Sequence, residues 1–229
     1  MTRAEKYPAI AVFMAFLALL AASCATPAAT PPRTLPGMNT VLVTPFVDMS
    51  ALHGPGQTVR SPVTGGVFTT GPVAEGVSDE LSRTLIAQVA ALGYTVSASD
   101  DAEGARSLAV ASKKSMSERD LALEMGRKSG ADGVIIGCVY RLEERVGANY
   151  SAEKAASAAF DAALIRVADG AVLWSARFDE AQKPLSDNLL DMSSFLKRRG
   201  TWVTVSDFAK DALTKKLEGF PRPIGPAKQ

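Results

Sequence analysis

Cys24, Cys138 and His53 are the side chains of this 229-residue sequence best suited to nucleophilic or soft-metal chemistry. Two cysteines and one histidine make neither a disulfide framework nor a His/Cys zinc constellation, so no metal and no cofactor are expected. A nucleophile–histidine system would have to use His53, which sits in the Gly/Pro-rich stretch "SALHGPG", and lone loop histidines are usually solvated. Cys138 lies among Val134, Ile135, Ile136, Val139 and Tyr140, where a thiol behaves as a small core residue and nothing nearby would activate it. The acidic pairs Asp100-Asp101 and Glu143-Glu144 suggest general acid–base work. Adjacent strand residues face opposite ways, however, and a solvated surface explains them better. There is no G-x-S-x-G elbow and no phosphate-binding glycine loop. The expectation is a protein that is not an enzyme.

Cys24 has a different context. Arg3 and Lys6 precede the apolar run "AIAVFMAFLALLAA" (9–22), which is shorter than the roughly 20 residues of a membrane-spanning helix and fits a secretory signal. Ala21, Ala22 and Ser23 supply a small-residue cleavage context, so residues 1–23 read as a signal peptide. "LAASC" resembles the lipobox of bacterial lipoproteins, with Leu20 one place earlier than that pattern prefers. The resemblance implies lipidation of Cys24 with palmitate-class acyl chains, and Ala25 after it implies transfer to the outer membrane. The alternative is an ordinary secretory signal with an incidental cysteine. One acyl chain binds a bilayer only marginally, whereas several on one residue hold it permanently. Residues 24–38, rich in Pro, Ala and Thr, cannot build a core and read as a semi-extended tether.

The rest of the chain must fold around these features. It is long enough for one well-buried domain, and 47% hydrophobic with 21% charged residues suits a globular body. Lys and Arg (25) nearly balance Asp and Glu (24), which argues against nucleic acid as a partner. "NTVLVTPFVDM" (39–49) reads as a buried first strand ended or distorted at Pro45. Residues 50–74 form a long Gly/Pro-rich excursion with a hairpin turning at Gly65-Gly66. Val77, Leu81, Leu85, Val89 and Leu92 mark a helix over 75–92, stopped by Gly93. A short strand follows at 94–98 and a weak helix at 100–114. Ser117 and Asp120 open a further helix with Leu121, Met125 and Lys128 along the boundary between core and water. Residues 131–147 read as a long strand whose second half leaves the sheet.

"SAAFDAALIRVADGAVLWSARFDEA" (157–181) is the clearest local signal, a hairpin around Asp169-Gly170 with Phe160, Ala162 and Leu164 on one face and Asp161, Ala163 and Ile165 on the other. Val172, Trp174, Ala176 and Phe178 share a core face, and Trp174 is expected to be buried against a helix. Thr204 and Asp207 cap a last helix carrying Val205, Phe208, Ala212 and Leu217, with a loose tail over 221–229. The expected fold class is α/β, a single domain over 39–220 with a mixed, mostly antiparallel sheet packed with amphipathic helices.

With "VLVTPF", "GADGVIIGCV" and "IRVADGAVLWSARF", this order resembles the periplasmic domain of curli-secretion-type (CsgG-like) outer-membrane lipoproteins and of the related lipoprotein activators of peptidoglycan synthases. The resemblance implies a lipid-anchored protein on the periplasmic side of the outer membrane, with homo-oligomers among the relatives. Neither candidate insertion, 50–72 nor 143–158, supplies the alternating strands of a membrane barrel. "FLKRRGTWVTVSDF" (195–208) sets Lys197, Arg198 and Arg199 beside Phe195 and Trp202, a composition favoured in protein interfaces, and Tyr150 is a second interface candidate. The expected role is contact with an unidentified envelope protein in outer-membrane assembly, secretion or regulation of cell-wall synthesis. The rival is a periplasmic small-ligand or glycan-binding module with its pocket between the 50–74 excursion and the sheet edge.

Overall fold

In a computed structural model, residues 34–98, 117–148, 151–182 and 204–224 are described. The signal peptide, residues 24–33 of the tether, the weak helix at 100–114 and the end of the tail lie outside them.

Two apolar segments form the centre because their side chains alternate between two cores. In β7 (Gly133–Glu143), Ile135 and Val139 enter one core while Val134, Ile136 and Cys138 enter the other. In β10 (Ser157–Arg166), Phe160, Ala162 and Leu164 enter the first, and Ala159, Ala163 and Ile165 the second. β10 is antiparallel to β7 and to β11 (Val172–Ala181). β2 (Thr40–Val43) is parallel to β7 and to β6 (Thr95–Ala98), so the sheet order is β11-β10-β7-β2-β6. This is the mixed α/β sheet expected from the sequence, with its longest ladders antiparallel, and it stays open.

Proline has no N–H for the ladder, so Pro45 divides the first strand. Thr44 bridges the break, its N–H and its hydroxyl both donating to the Ile135 carbonyl at 3.0 and 3.1 Å. The Phe46 N–H donates to Ser82 Oγ at 3.0 Å, and the strand resumes as β3 (Val47–Asp48) against β7.

α2 (Val77–Ala91) and α4 (Val205–Leu217) supply Leu81, Leu85, Val89, Ala209 and Leu213 to the first core. The second core is covered by α3 (Glu118–Ser129), by α1 (Met49–His53) and by the hairpin of β4 (Thr58–Arg60) and β5 (Val67–Thr69). Ser117 and Thr204 cap their helices as their spacing predicts, accepting from the N–H of Asp120 and Asp207.

Leu121 and Met125 of α3 are half-buried and Lys128 exposed, as a boundary side should be. The helix buries Ala122, Leu123 and Gly126, the last admitting Val167 to a distance no side chain would allow. A Cβ there would lie 2.7 Å from Val167 Cγ2. Other expectations are corrected by tertiary contacts. Trp174 is half-buried where full burial was expected, and it meets the edge of Phe220, beyond the end of α4. β7 remains paired through Glu143 opposite Ser157, and only then does the chain form the separate hairpin of β8 (Val146–Ala148) and β9 (Ser151–Lys154). Described residues on either side of 39–220 also pair with one another. β1 (Thr34–Leu35) runs parallel to β12 (Arg222–Pro223), Leu35 and Pro221 are buried, and Tyr94 donates its hydroxyl to the Pro221 carbonyl at 3.2 Å.

A ring of Phe46 lies against the bare backbone of Gly137, where a Cβ would stand 2.4 Å from Phe46 Cε1. Gly137→Ala is expected to cost about 1–3 kcal/mol by overpacking. A lower urea midpoint would register this, and an unchanged midpoint would show that the ring has room to move.

Candidate functional site

One charged residue interrupts the apolar run of β10. Asp161 is 0% exposed and faces Cys138 of β7 on one side and Arg177 of β11 on the other. A buried carboxyl needs partners for both oxygens, and the β4–β5 hairpin brings one of them. Thr64 donates its hydroxyl to Asp161 Oδ2 at 2.5 Å, and Tyr140 donates to Oδ1 at 3.2 Å. Tyr140 reaches this position from a bulge in β7, where the pairing skips from Val139 to Arg141 opposite Phe160 and Ala159.

The hairpin loop is built to deliver Thr64. Ser61 Oγ accepts from the N–H groups of Val63 and Thr64 at 3.0 and 2.9 Å, a local turn that favours serine at this place. Gly65 adopts φ +73, which closes the loop so that the Ser61 N–H reaches the Gly66 carbonyl at 2.7 Å. The Gly65-Gly66 turn read from the sequence is therefore present, inside a longer loop.

Aromatic and arginine contacts press the hairpin onto the sheet. Phe68 stacks on Tyr140 with ring centroids 4.0 Å apart and planes within 6°. The Arg177 guanidinium lies 4.4 Å from the Phe68 centroid and donates to the Val67 carbonyl at 2.6 Å. At the other end Arg141 donates to the Thr69 carbonyl, to Ser157 Oγ and to Asp179, the last as an ion pair at 2.8 Å.

Burial pushes the Asp161 carboxyl above its usual range, while hydrogen bonds from Ser61, Thr64 and Tyr140 and the charge of Arg177 oppose that rise. Burial likewise raises the Tyr140 phenol. A buried acid with a shifted pKa is a common mark of catalysis. Here the carboxyl is enclosed by the hairpin and its oxygens are engaged, so its chemistry is to anchor a surface segment. The hairpin's outer side is open to solvent, with Val67 45% exposed, and so is Leu52 of α1 at 59%. A ligand pocket beneath the 50–74 excursion would need the space that Phe68 and Val63 fill.

Of the residues weighed for chemistry in the sequence, Cys138 lies opposite Asp161 in the β7–β10 ladder. Cys24, Tyr150, Lys197, Arg198, Arg199 and Trp202 lie outside the described residues, as do Asp100 and Asp101. His53 is exposed at the end of α1, and Cys138 is buried as expected. Glu144 is exposed, as expected of a solvated acid, and also accepts from the Val205 N–H at 3.2 Å at the start of α4. Asp161 was visible in the sequence as a lone acid in "SAAFDAALI", but its partners sit on segments distant along the chain.

Neither a protein-family model nor a curated protein matches the chain. Solved structures with a similar course include a PelC dodecamer from Paraburkholderia phytofirmans, 15% identical over 84% of this chain and 95% of that one, with a TM-score of 0.48. Lipoprotein GNA1162 from Neisseria meningitidis is 14% identical over 70% and 96%, with a TM-score of 0.38. The C-terminal domain of LpoB from Salmonella enterica is 18% identical over 63% and 84%, with a TM-score of 0.34. At this distance nothing about activity is carried across.

Asp161→Ala leaves two hydroxyls without an acceptor and is expected to cost about 2–4 kcal/mol. Asp161→Asn, which keeps an acceptor, is expected to cost less than about half of that at acidic pH. Because the folded carboxyl holds its proton more tightly than the unfolded one, its contribution is fully present below the ordinary aspartate value of 3.8 and is lost as pH rises through the raised folded value. Urea unfolding across pH should therefore show Asp161→Asn gaining on the wild type as pH increases. A constant difference between the two would refute the assignment.

Proposed function

We propose that this chain is a lipid-anchored, non-enzymatic envelope protein on the periplasmic side of the outer membrane. It works by protein contact in outer-membrane assembly, secretion or regulation of cell-wall synthesis, in the manner of the CsgG-like and synthase-activator lipoproteins that its sequence resembles. The location is supported by the apolar run ending in "LAASC" and the Pro/Ala/Thr-rich stretch after it. The observation that carries the contact role is the enclosed Asp161, whose hydrogen bonds fix a hairpin with an exposed outer side. A preset surface of this kind lowers the ordering cost of association.

The docking patch on this reading is Lys197, Arg198 and Arg199 with Trp202, and Tyr150 is a lesser contact. Arginine and aromatic side chains are the residue types that dominate binding energy when an interface buries them.

Mass spectrometry of the mature protein should find an acylated N-terminal Cys24, and Cys24→Ala should move the protein out of the membrane fraction. A different mature N-terminus, or release of the native protein by mild salt, would end the anchoring half. Cross-linked capture from the native envelope should lose partners when Lys197, Arg198 and Arg199 are all changed to alanine. Recovery of the same partners by both forms would remove the patch.

A further inference from the structure

We propose that the end of the domain where β1 and β12 pair is a membrane-facing surface on which Lys215, Lys216 and Arg222 meet anionic lipid headgroups. This rests on the reading that Cys24 is the anchor. Nine residues lie between Cys24 and Thr34, the first described residue, so the connection spans at most about 36 Å when fully extended. On that reading the bilayer lies within that reach of Thr34.

The strand that pairs with Thr34 and the helix end leading into it carry three exposed cations. Thr34 pairs with Arg222, and α4 ends just before this strand with Lys215 and Lys216 in its last turn. Phe220 and Pro221 are buried, which turns the chain back and leaves Arg222 and Ile224 outward, Ile224 being 48% exposed. Pro223 approaches Gly93 at the end of α2, where a Cβ would lie 3.4 Å from Pro223 Cγ, so this end is closely packed as well as charged.

The charges there are uncommitted. Several described cations elsewhere are drawn into ion pairs: Lys128 with Glu124, Arg141 with Asp179, Arg166 with Asp169, and Lys210 with Asp207 and Glu80. Among the described residues Lys215, Lys216 and Arg222 form no salt bridge. The acids nearby in sequence are Glu218 and, a turn earlier, Asp211. Lysines in a last turn also suit the helix dipole, but Arg222 lies beyond the helix and gains nothing from it. Cations facing an anionic surface act only within about a Debye length, roughly 8–10 Å, a gap that the tether permits the domain to close. Ile224 would then sit at headgroup level as an apolar contact.

The test uses the mature chain, residues 24–229, which retains the compact unit Pro32–Gln229 whole. It carries Cys24→Ser and an N-terminal hexahistidine held on nickel-chelating lipid, so the anchor does not depend on natural acylation. An environment-sensitive dye is attached at Ile224→Cys, the other thiol, Cys138, being buried. The dye emission should shift to the blue on vesicles containing phosphatidylglycerol and stay unshifted on phosphatidylcholine alone. A dye at Leu52→Cys, on α1, should shift on neither. Each surface cation is worth roughly a factor of five at an anionic membrane. The triple change K215Q/K216Q/R222Q should therefore lower the ratio of docked to undocked protein about a hundredfold. Equal emission on both vesicle types, or a shift that survives the triple change, would overturn the proposal. A wrong mature N-terminus by mass spectrometry would instead overturn the anchoring reading and leave this result intact.

Discussion

β10 is buried along its whole length except at Arg166, and it is buried on both faces. A strand in that position cannot be stable until each side of the sheet is covered. α2 and α4 cover one side, adding a chain of aromatic rings from Phe46 through Phe160 and Phe178 to Phe208. No third long helix is available among the described residues to complete the other side, and α3 covers only part of it. The remainder falls to α1 and the β4–β5 hairpin, a segment whose glycines and prolines make it look like a loose surface loop.

Asp161 is the polar exception within that apolar strand, and it explains how a hairpin of two three-residue strands keeps one position. Two short strands have little stability alone. Phe68 on Tyr140 supplies apolar contact, the hydroxyls of Thr64 and Tyr140 satisfy the carboxyl, and two arginines from neighbouring strands reach the hairpin's carbonyls. An acid that would be costly unpaired becomes a reason for one register and one loop conformation. The same polar accounting recurs at Pro45, where Thr44 and Ser82 satisfy what the interrupted ladder cannot.

The two ends of the sheet differ in character. At one end Glu144 stands against the first turn of α4, and β8 and β9 rise as their own small hairpin. At the other, the first and last described strands meet in a short parallel pair, and the closing aromatic contacts are Tyr94 and Trp174 around Phe220.

The long strands, the limits of the three longer helices and both glycine turns were legible in the sequence because they depend on neighbours: alternation in "GVIIGCV" and "SAAFDAALI", Ser117 and Thr204 as caps, Gly65 and Gly170 at positive φ. The lipobox-like "LAASC" belongs to the same class, since it too is a local pattern. The close approach of Val167 to Gly126 was decided by the tertiary structure, as were the partners of Asp161, Thr64 and Tyr140, 97 and 21 residues away. The joining of residues 34–35 to 222–223 has no local signature either. Periodicity and capping are written within one turn or one strand, whereas the meeting of distant segments is fixed by which surfaces remain to be covered once the sheet has formed.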